Sequence, residues 1–375
     1  MIRVQVNTKT HAYEALIENG LLRSAGPYLR DLLPGSSRFV VVTVPRVRKL
    51  YGRILAASLD DAGLQHSFLE MPDGEQFKTL ATVETLGMKL AKLGADRESV
   101  VIALGGGIAG DVTGFLGSIY MRGIKVVQIP TTFLAQVDAS VGGKTGVDMA
   151  SGKNLLGTFK QPEVVLMDPS VLTTLPEREY RSGLFEAVKT GIIYNARIFD
   201  FMEANRDKIL ARDAGTLEWL IAEAVRVKAK VVSQDEKEKG LRMILNFGHT
   251  IGHALETETH YRKYLHGEAV AWGMIAATSI ARRLKLLDAA AAERIVAVVN
   301  SYGPFPPVKV ETAKVLARLN RDKKTVHGKV RFILPTSVGE VVVRDDVPNR
   351  VIVQAVEELN RISAPAKKSA KAKAR

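Results

Sequence analysis

Apolar positions recur with two different periods along this chain. Residues 2–7 (IRVQVN) and 12–18 (AYEALIE) alternate with period two around a polar turn, which predicts an antiparallel hairpin, and helical spacing follows to Leu33. Residues 38–44 (RFVVVTV) form a continuous β-branched run, the pattern of a parallel strand covered on both faces, and 45–62 returns to helical spacing. A strand at 67–71, a polar turn at 73–78, a helix at 79–94 and a third buried strand at 100–104 come next. Two more buried strands fall at 125–129 and 163–168. Strands that alternate with helices predict an α/β domain built on a largely parallel sheet.

Around residues 169–183 (PSVLTTLPEREYRSG) the pattern changes, and strand-like runs almost vanish until residue 330. Helical spacing fills 177–194, 196–210, 214–234, 246–259, 267–285, 288–301 and 311–320. A late hairpin is predicted over 330–343 and a last helix over 347–361. The expected organisation is a Rossmann-like parallel-sheet domain over 1–176, a mainly α-helical domain over 177–364, and a basic disordered tail over 365–375. A cleft between unlike domains is a usual place for an active site.

Composition narrows the function classes. The chain has 375 residues, 46% of them hydrophobic and 25% charged, which is globular composition. Cysteine is absent, so disulfides, thiolate catalysis and cysteine-based zinc sites are excluded, and any metal must sit on His, Asp or Glu. No uncharged apolar run reaches membrane-spanning length, and the polar, alternating N-terminus does not read as a signal peptide, so a soluble cytoplasmic protein is expected. The net charge of +13 suggests nucleic acid at first sight, but Lys367, Lys368, Lys371, Lys373 and Arg375 crowd into the Ala/Lys-rich tail. The tail is read as a solvated extension, and the remaining basic balance suits a small anionic substrate better than a nucleic acid.

The chemistry centres on the run at 98–146. Its strand breaks into Gly105, Gly106 and Gly107 and resumes as an apolar helix. A strand, a glycine turn and a helix N-terminus together form an anion-binding device, so a dinucleotide is expected here. Gly105, Gly107 and Gly110 match the G-x-G-x-x-G spacing, yet the acidic residue expected about 20 positions later is replaced by IPTTF, which fits an ordinary Rossmann dehydrogenase poorly. A tight turn with no ligand is the competing reading.

Four of the seven histidines fall between 249 and 266. His249 and His253 stand at i, i+4 on one helical face, with His260 and His266 close behind. Singly, each reads more readily as a satisfied polar group, but several imidazoles buried together call for a shared purpose. Glu186, in GLFEAVKTG with Lys189 one turn on, reads equally as a buried ion pair or as a metal ligand beside a substrate-facing lysine. Two histidines and a glutamate would leave the open position of a catalytic zinc site.

GGGIAGDVTGF, YMRGIKVVQIPTTFLAQVDASVGGKTGVD, GKNLLGTFKQP, EAVKTGII, LNFGHTIGHALE, HGEAVAWGM and DKK, in this order over about 70–335, closely resemble the 3-dehydroquinate synthase family. The resemblance implies conversion of 3-deoxy-D-arabino-heptulosonate 7-phosphate to 3-dehydroquinate and phosphate, with bound NAD and a divalent metal, zinc or cobalt, in a cytoplasmic homodimer. It implies that Glu186, His249 and His266 are the metal ligands and that His253 is a substrate-facing proton relay, which corrects the i, i+4 reading. NAD would meet Asp73, Gly74, Glu75, Gln76, Phe77 and Lys78, then Gly107, Ile108, Ala109, Gly110 and Asp111. It would also meet Thr131, Thr132, Lys144, Lys153, Val171, Leu172, Thr173 and Thr174. Arg122, Asp138, Lys144, Lys153, Asn154, Lys189, Arg242, Asn246 and either Lys323 or Lys324 would surround the substrate, and basic groups suit its carboxylate and phosphate.

One departure concerns the adenosine ribose. Many members carry an acidic residue near the end of the buried strand over 38–44, where this chain has Thr43. Competing readings are another sugar phosphate cyclase, an iron- or glycerol-type alcohol dehydrogenase, and a polyanion binder that rests on the tail alone. Arg242, Asn246 and the DKK lysine favour a carboxylate-bearing substrate over those of the other cyclases, and a dehydrogenase gives no reason for so many phosphate- and carboxylate-directed basic groups.

Overall fold

The structure, a computed structural model, describes residues 1–323 and 330–363. Its larger sheet is made of β1 (Ile2–Asn7), β2 (Ala12–Ile17), β3 (Phe39–Thr43), β4 (His66–Glu70), β5 (Val100–Gly105), β6 (Lys125–Pro130) and β9 (Val164–Met167). Two further strands, β7 (Lys144–Met149) and β8 (Gly152–Phe159), form a separate antiparallel hairpin, as do β10 (Phe332–Ser337) and β11 (Glu340–Arg344). The seven strands run in the order β1-β2-β9-β6-β5-β3-β4, and every pairing is parallel except that of β1 with β2.

The unbroken apolar runs have a direct cause, because every residue of β3 and β5 is buried. Val41, Ile102 and Leu104 face a cluster that holds Leu29, Leu55 and Leu59 from the helices on one side. Val40, Val42 and Val101 face Val83, Leu86, Val112 and Leu116 on the other. A sheet covered on both faces has no polar side to alternate with.

Two compact units emerge. The first joins residues 1–187 to 204–242, and the second joins 188–203 to the chain from 243 onward. The helix Ala214–Gln234, deep in the helical half of the sequence, belongs to the first unit: Asn7 donates its backbone N–H to Ser233 Oγ at 3.2 Å, and Asn19 donates its own to Glu218 Oε1 at 2.7 Å.

Most predicted helices appear within a few residues of their expected ends, with three informative differences. The helix expected over 45–62 runs as Pro45–Val47, a wide turn Arg48–Gly52, and Arg53–Asp61. The one expected over 196–210 breaks at Asn205 into Ala196–Ala204 and Arg206–Leu210. The one expected from 246 starts at His249, because Gly248 takes a left-handed backbone (φ 80°) between it and the short helix Leu241–Asn246. No helix of the described residues is long and apolar enough to cross a membrane.

Candidate active site

In the first unit, β5 delivers its chain to Gly106, which caps the helix Gly107–Ile119 in extended backbone with no side-chain partner. A Cβ on Gly106 would meet the Thr132 methyl at 3.0 Å, so a side chain here would crowd the turn. The helix N-terminus therefore offers bare N–H groups, the feature that binds a pyrophosphate. Gly107, Ile108, Ala109 and Gly110 form its first turn, and Asp111 follows. Thr131 and Thr132 come alongside from the end of β6, where Thr131 donates its N–H to the Gly105 carbonyl at 2.8 Å.

The polar turn 73–78 contains the short helix Glu75–Phe77 and ends at Lys78. Lys78 is buried, and its Nζ donates to Asp111 Oδ2 at 2.6 Å and to Asn154 Oδ1 at 2.5 Å. Desolvation raises the Asp111 pKa, with the Lys78 charge opposing it. Three stretches distant in sequence are thus tied together: the turn, the glycine helix and the β7–β8 hairpin. The same hairpin carries Lys153, paired with Glu75 at 2.7 Å, and Lys144, paired with Glu238. Asn154 sits in left-handed backbone (φ 54°), held by its N–H donated to Asp148 Oδ1 at 2.8 Å.

Arg242 is 2% exposed, yet its guanidinium donates to backbone carbonyls, that of Glu236 at 2.6 Å and that of Gly142 at 3.1 Å. Burial is the largest influence on it and lowers its pKa. Asp138 receives the Nζ of Lys228 on Oδ1 at 2.5 Å. Lys228 was not expected from the sequence, although the signal was there: it is a lysine at a position of the buried stripe formed by Ala224, Val225, Val231 and Val232. The segment that carries Val171, Leu172, Thr173 and Thr174 is a short helix fixed from outside. Arg212 donates to the Leu172 and Thr173 carbonyls at 2.9 and 2.7 Å, and Tyr51 Oη donates to that of Val171 at 2.6 Å.

Not every candidate is drawn in. Arg122 lies beyond the far end of the glycine helix, about 20 Å along its axis from Gly107 by helical rise, and among the described residues it makes no hydrogen bond or ion pair. Lys324 lies outside the described residues, and Lys323 is the last residue of the helix Thr312–Lys323. Thr43 ends β3 in register with Leu104, directly before the glycine turn, and is fully buried. Glu186 is 1% exposed on the helix Glu177–Ile193.

In the second unit the histidines converge. The helix His249–Glu258 presents His249 and His253, and the helix His266–Arg283 begins with His266. Ring centroids are 5.1 Å apart for His249 with His253, 5.1 Å for His249 with His266, and 5.9 Å for His253 with His266. Glycine sets this spacing. A Cβ on Gly273 would fall 1.7 Å from the Gly248 carbonyl oxygen, and one on Gly252 would fall 3.0 Å from that of Ala269, so the two helices cross backbone against backbone. His249 directs Nδ1 at the Phe247 carbonyl, 3.1 Å away, so Nε2 is the atom it could offer a metal. Its pKa lies well below the ordinary histidine value because of desolvation and then the charges of Lys189, His266 and His253. It therefore stays neutral, the form that binds a metal. Asn246 closes the short helix just before it.

Comparison with known proteins divides the chain at residue 182 rather than at the borders of the two compact units. Residues 68–182 match the model for the 3-dehydroquinate synthase N-terminal domain and residues 183–325 that for the C-terminal domain. A 3-dehydroquinate synthase of Koribacter versatilis is 54% identical over 97% of this chain and 99% of its own, and one of Synechococcus is 44% identical over 96% and 99%. Among solved structures, 2-epi-5-epi-valiolone synthase of Streptomyces hygroscopicus, with NAD+ and Zn2+ bound, superposes with a TM-score of 0.86 at 30% identity over 93% of this chain and 97% of its own. A 2-deoxy-scyllo-inosose synthase complexed with carbaglucose-6-phosphate, NAD+ and Co2+ gives 0.87 at 28% over 95% and 100%. A probable glycerol dehydrogenase of Sinorhizobium meliloti, at 17% identity and 0.65, shares the fold alone.

These likenesses define the class as the sugar phosphate cyclases. Within it, the chain belongs to the 3-dehydroquinate synthase family, whose reaction is a carbon–oxygen lyase step of the shikimate pathway that releases phosphate from a heptulosonate phosphate.

Proposed function

We propose that this chain converts 3-deoxy-D-arabino-heptulosonate 7-phosphate to 3-dehydroquinate and phosphate with a resident NAD and a divalent metal, zinc or cobalt. The observation that carries the reading is the histidine cluster, with two imidazoles at 5.1 Å, one of them kept neutral with its Nε2 left to ligate. Glu186, His249 and His266 supply a carboxylate oxygen and two ring nitrogens, a donor set that suits zinc or cobalt and leaves a position open for substrate oxygens. The open backbone at Gly106 and the bare helix N-terminus suit the NAD pyrophosphate. When bound, NAD supplies a reversible oxidation at C5 and the metal supplies Lewis acidity at the C4 and C5 hydroxyls.

The chain's own residues do the rest. Asp73, Gly74, Glu75, Gln76, Phe77, Lys78 and Asp111 hold the dinucleotide beside the glycine turn, with Thr131, Thr132, Lys153 and the segment 171–174. Arg242 suits a substrate anion because its buried guanidinium donates to two backbone carbonyls, those of Glu236 and Gly142. Lys144, Asn154, Lys189, Asn246 and Lys324 complete the surround, and Lys228 orients Asp138. His253 relays the proton of the C5 hydroxyl. The substrate phosphate takes the C6 proton in the elimination, so no separate carboxylate base is required. On this reading residues 1–176 bind NAD and residues 177–364 bind metal and substrate, in a cytoplasmic homodimer.

The test is to strip the metal and incubate the protein with the heptulosonate phosphate and NAD, with and without added zinc. Phosphate should appear only with zinc. Its absence when metal is present would overturn the proposal.

A further inference from the structure

His249 has its Nδ1 answered by a backbone carbonyl, and His266 needs an equivalent. His266 opens its helix with a side chain 32% exposed, so its ring is not fixed by packing alone. The group nearest in chemistry is Glu256, a carboxylate 5% exposed on the helix His249–Glu258, where its neighbours Ala254 and Leu255 are buried. Glu256 follows His249 and His253 at i+7 and i+3, on the face that bears both imidazoles. Its Oε1 lies 3.5 Å from His266 Nδ1, and it offers a donor atom within 4.8 Å of those of His253 and His266.

We infer that Glu256 is a positioning residue for His266: it accepts the Nδ1–H, fixes that tautomer and ring orientation, and leaves Nε2 to the metal. The inference rests on the metal reading given above. A histidine ligand commonly donates its second ring N–H to a carboxylate or a carbonyl, and loss of that partner costs about 10- to 100-fold in metal affinity. Here the two imidazoles divide these options, the Phe247 carbonyl for His249 and the Glu256 carboxylate for His266. Burial of Glu256 has the same cause, since a carboxylate out of water needs a donor.

The test measures zinc affinity of the full chain by competition with a chromophoric chelator, for the parent, E256A and E256Q, with NAD affinity and far-UV circular dichroism as controls. E256A should bind zinc about 10- to 100-fold more weakly with NAD affinity unchanged, and E256Q, which keeps the shape and an acceptor oxygen, should fall between. With cobalt in place of zinc, the visible bands of both variants should keep the parent's coordination pattern. Folded E256A with zinc affinity within about twofold of the parent would overturn the inference. A cobalt spectrum of altered coordination number would also overturn it, by making Glu256 a ligand. Should E256A not fold, E256Q decides, and parental affinity there has the same consequence. A parent that binds no zinc would bring down the metal reading itself, an outcome distinct from either.

Discussion

His266 and His249 carry the strongest claims at the scale of single residues. Replacing His266 by Ala should remove one imidazole from the cluster while leaving the NAD elements of the first unit untouched. Bound metal measured by atomic emission and turnover should both be lost, with NAD affinity by calorimetry within about threefold of the parent, since no dinucleotide contact changes. Unchanged metal content would contradict the ligand assignment. His249 makes a second prediction, for the metal-free protein. Its folded pKa is depressed, so as pH falls below about 6.5 the unfolded chain takes up a proton that the folded chain refuses. The stabilising difference is fully present above that pH and is lost toward acid, by at most about 1.4 kcal/mol per pH unit for one proton. Denaturant titrations of metal-free parent and His249→Gln between pH 7 and about pH 5 should show the parent losing stability more steeply. Parallel curves would mean that His249 is not held neutral.

Among the elements, the crossing of the two histidine helices is the most exposed to test. Gly273→Ala would push a methyl into the Gly248 carbonyl, so the helices must part. The expected cost is about 1–3 kcal/mol of stability, read by denaturant unfolding, with zinc affinity falling alongside. Normal metal affinity in a folded variant would show that the spacing does not depend on this contact. This crossing also marks where sequence reading stopped. The i, i+4 pair His249 and His253 was legible from periodicity, but that His266 meets them depends on a glycine contact across a chain turn, which no local pattern records. The buried strands were legible because β-branched runs have few alternatives. The β7–β8 hairpin was not, because GKTGVDMASGKNLLGTF mixes glycine, polar and apolar residues without either period. Its role in holding Asn154 against Lys78 therefore came only with the fold. Lys228 and Glu256 were not legible for a common reason, being buried charged residues whose partners lie on other segments.

At the scale of the whole molecule, the collinear motifs reached further than any element did, since they fixed the family before a single contact was known. Dehydrogenases share the fold at low identity, so the fold by itself does not separate net oxidation from a borrowed hydride. The distinguishing claim is that NAD is reduced and restored within each turnover. Phosphate, 3-dehydroquinate and reduced cofactor should be followed together during turnover of the heptulosonate phosphate by the zinc-loaded protein with NAD. Phosphate and 3-dehydroquinate should appear in equal amounts, with NADH never exceeding the enzyme present. NADH that rises in step with substrate consumption would contradict that claim.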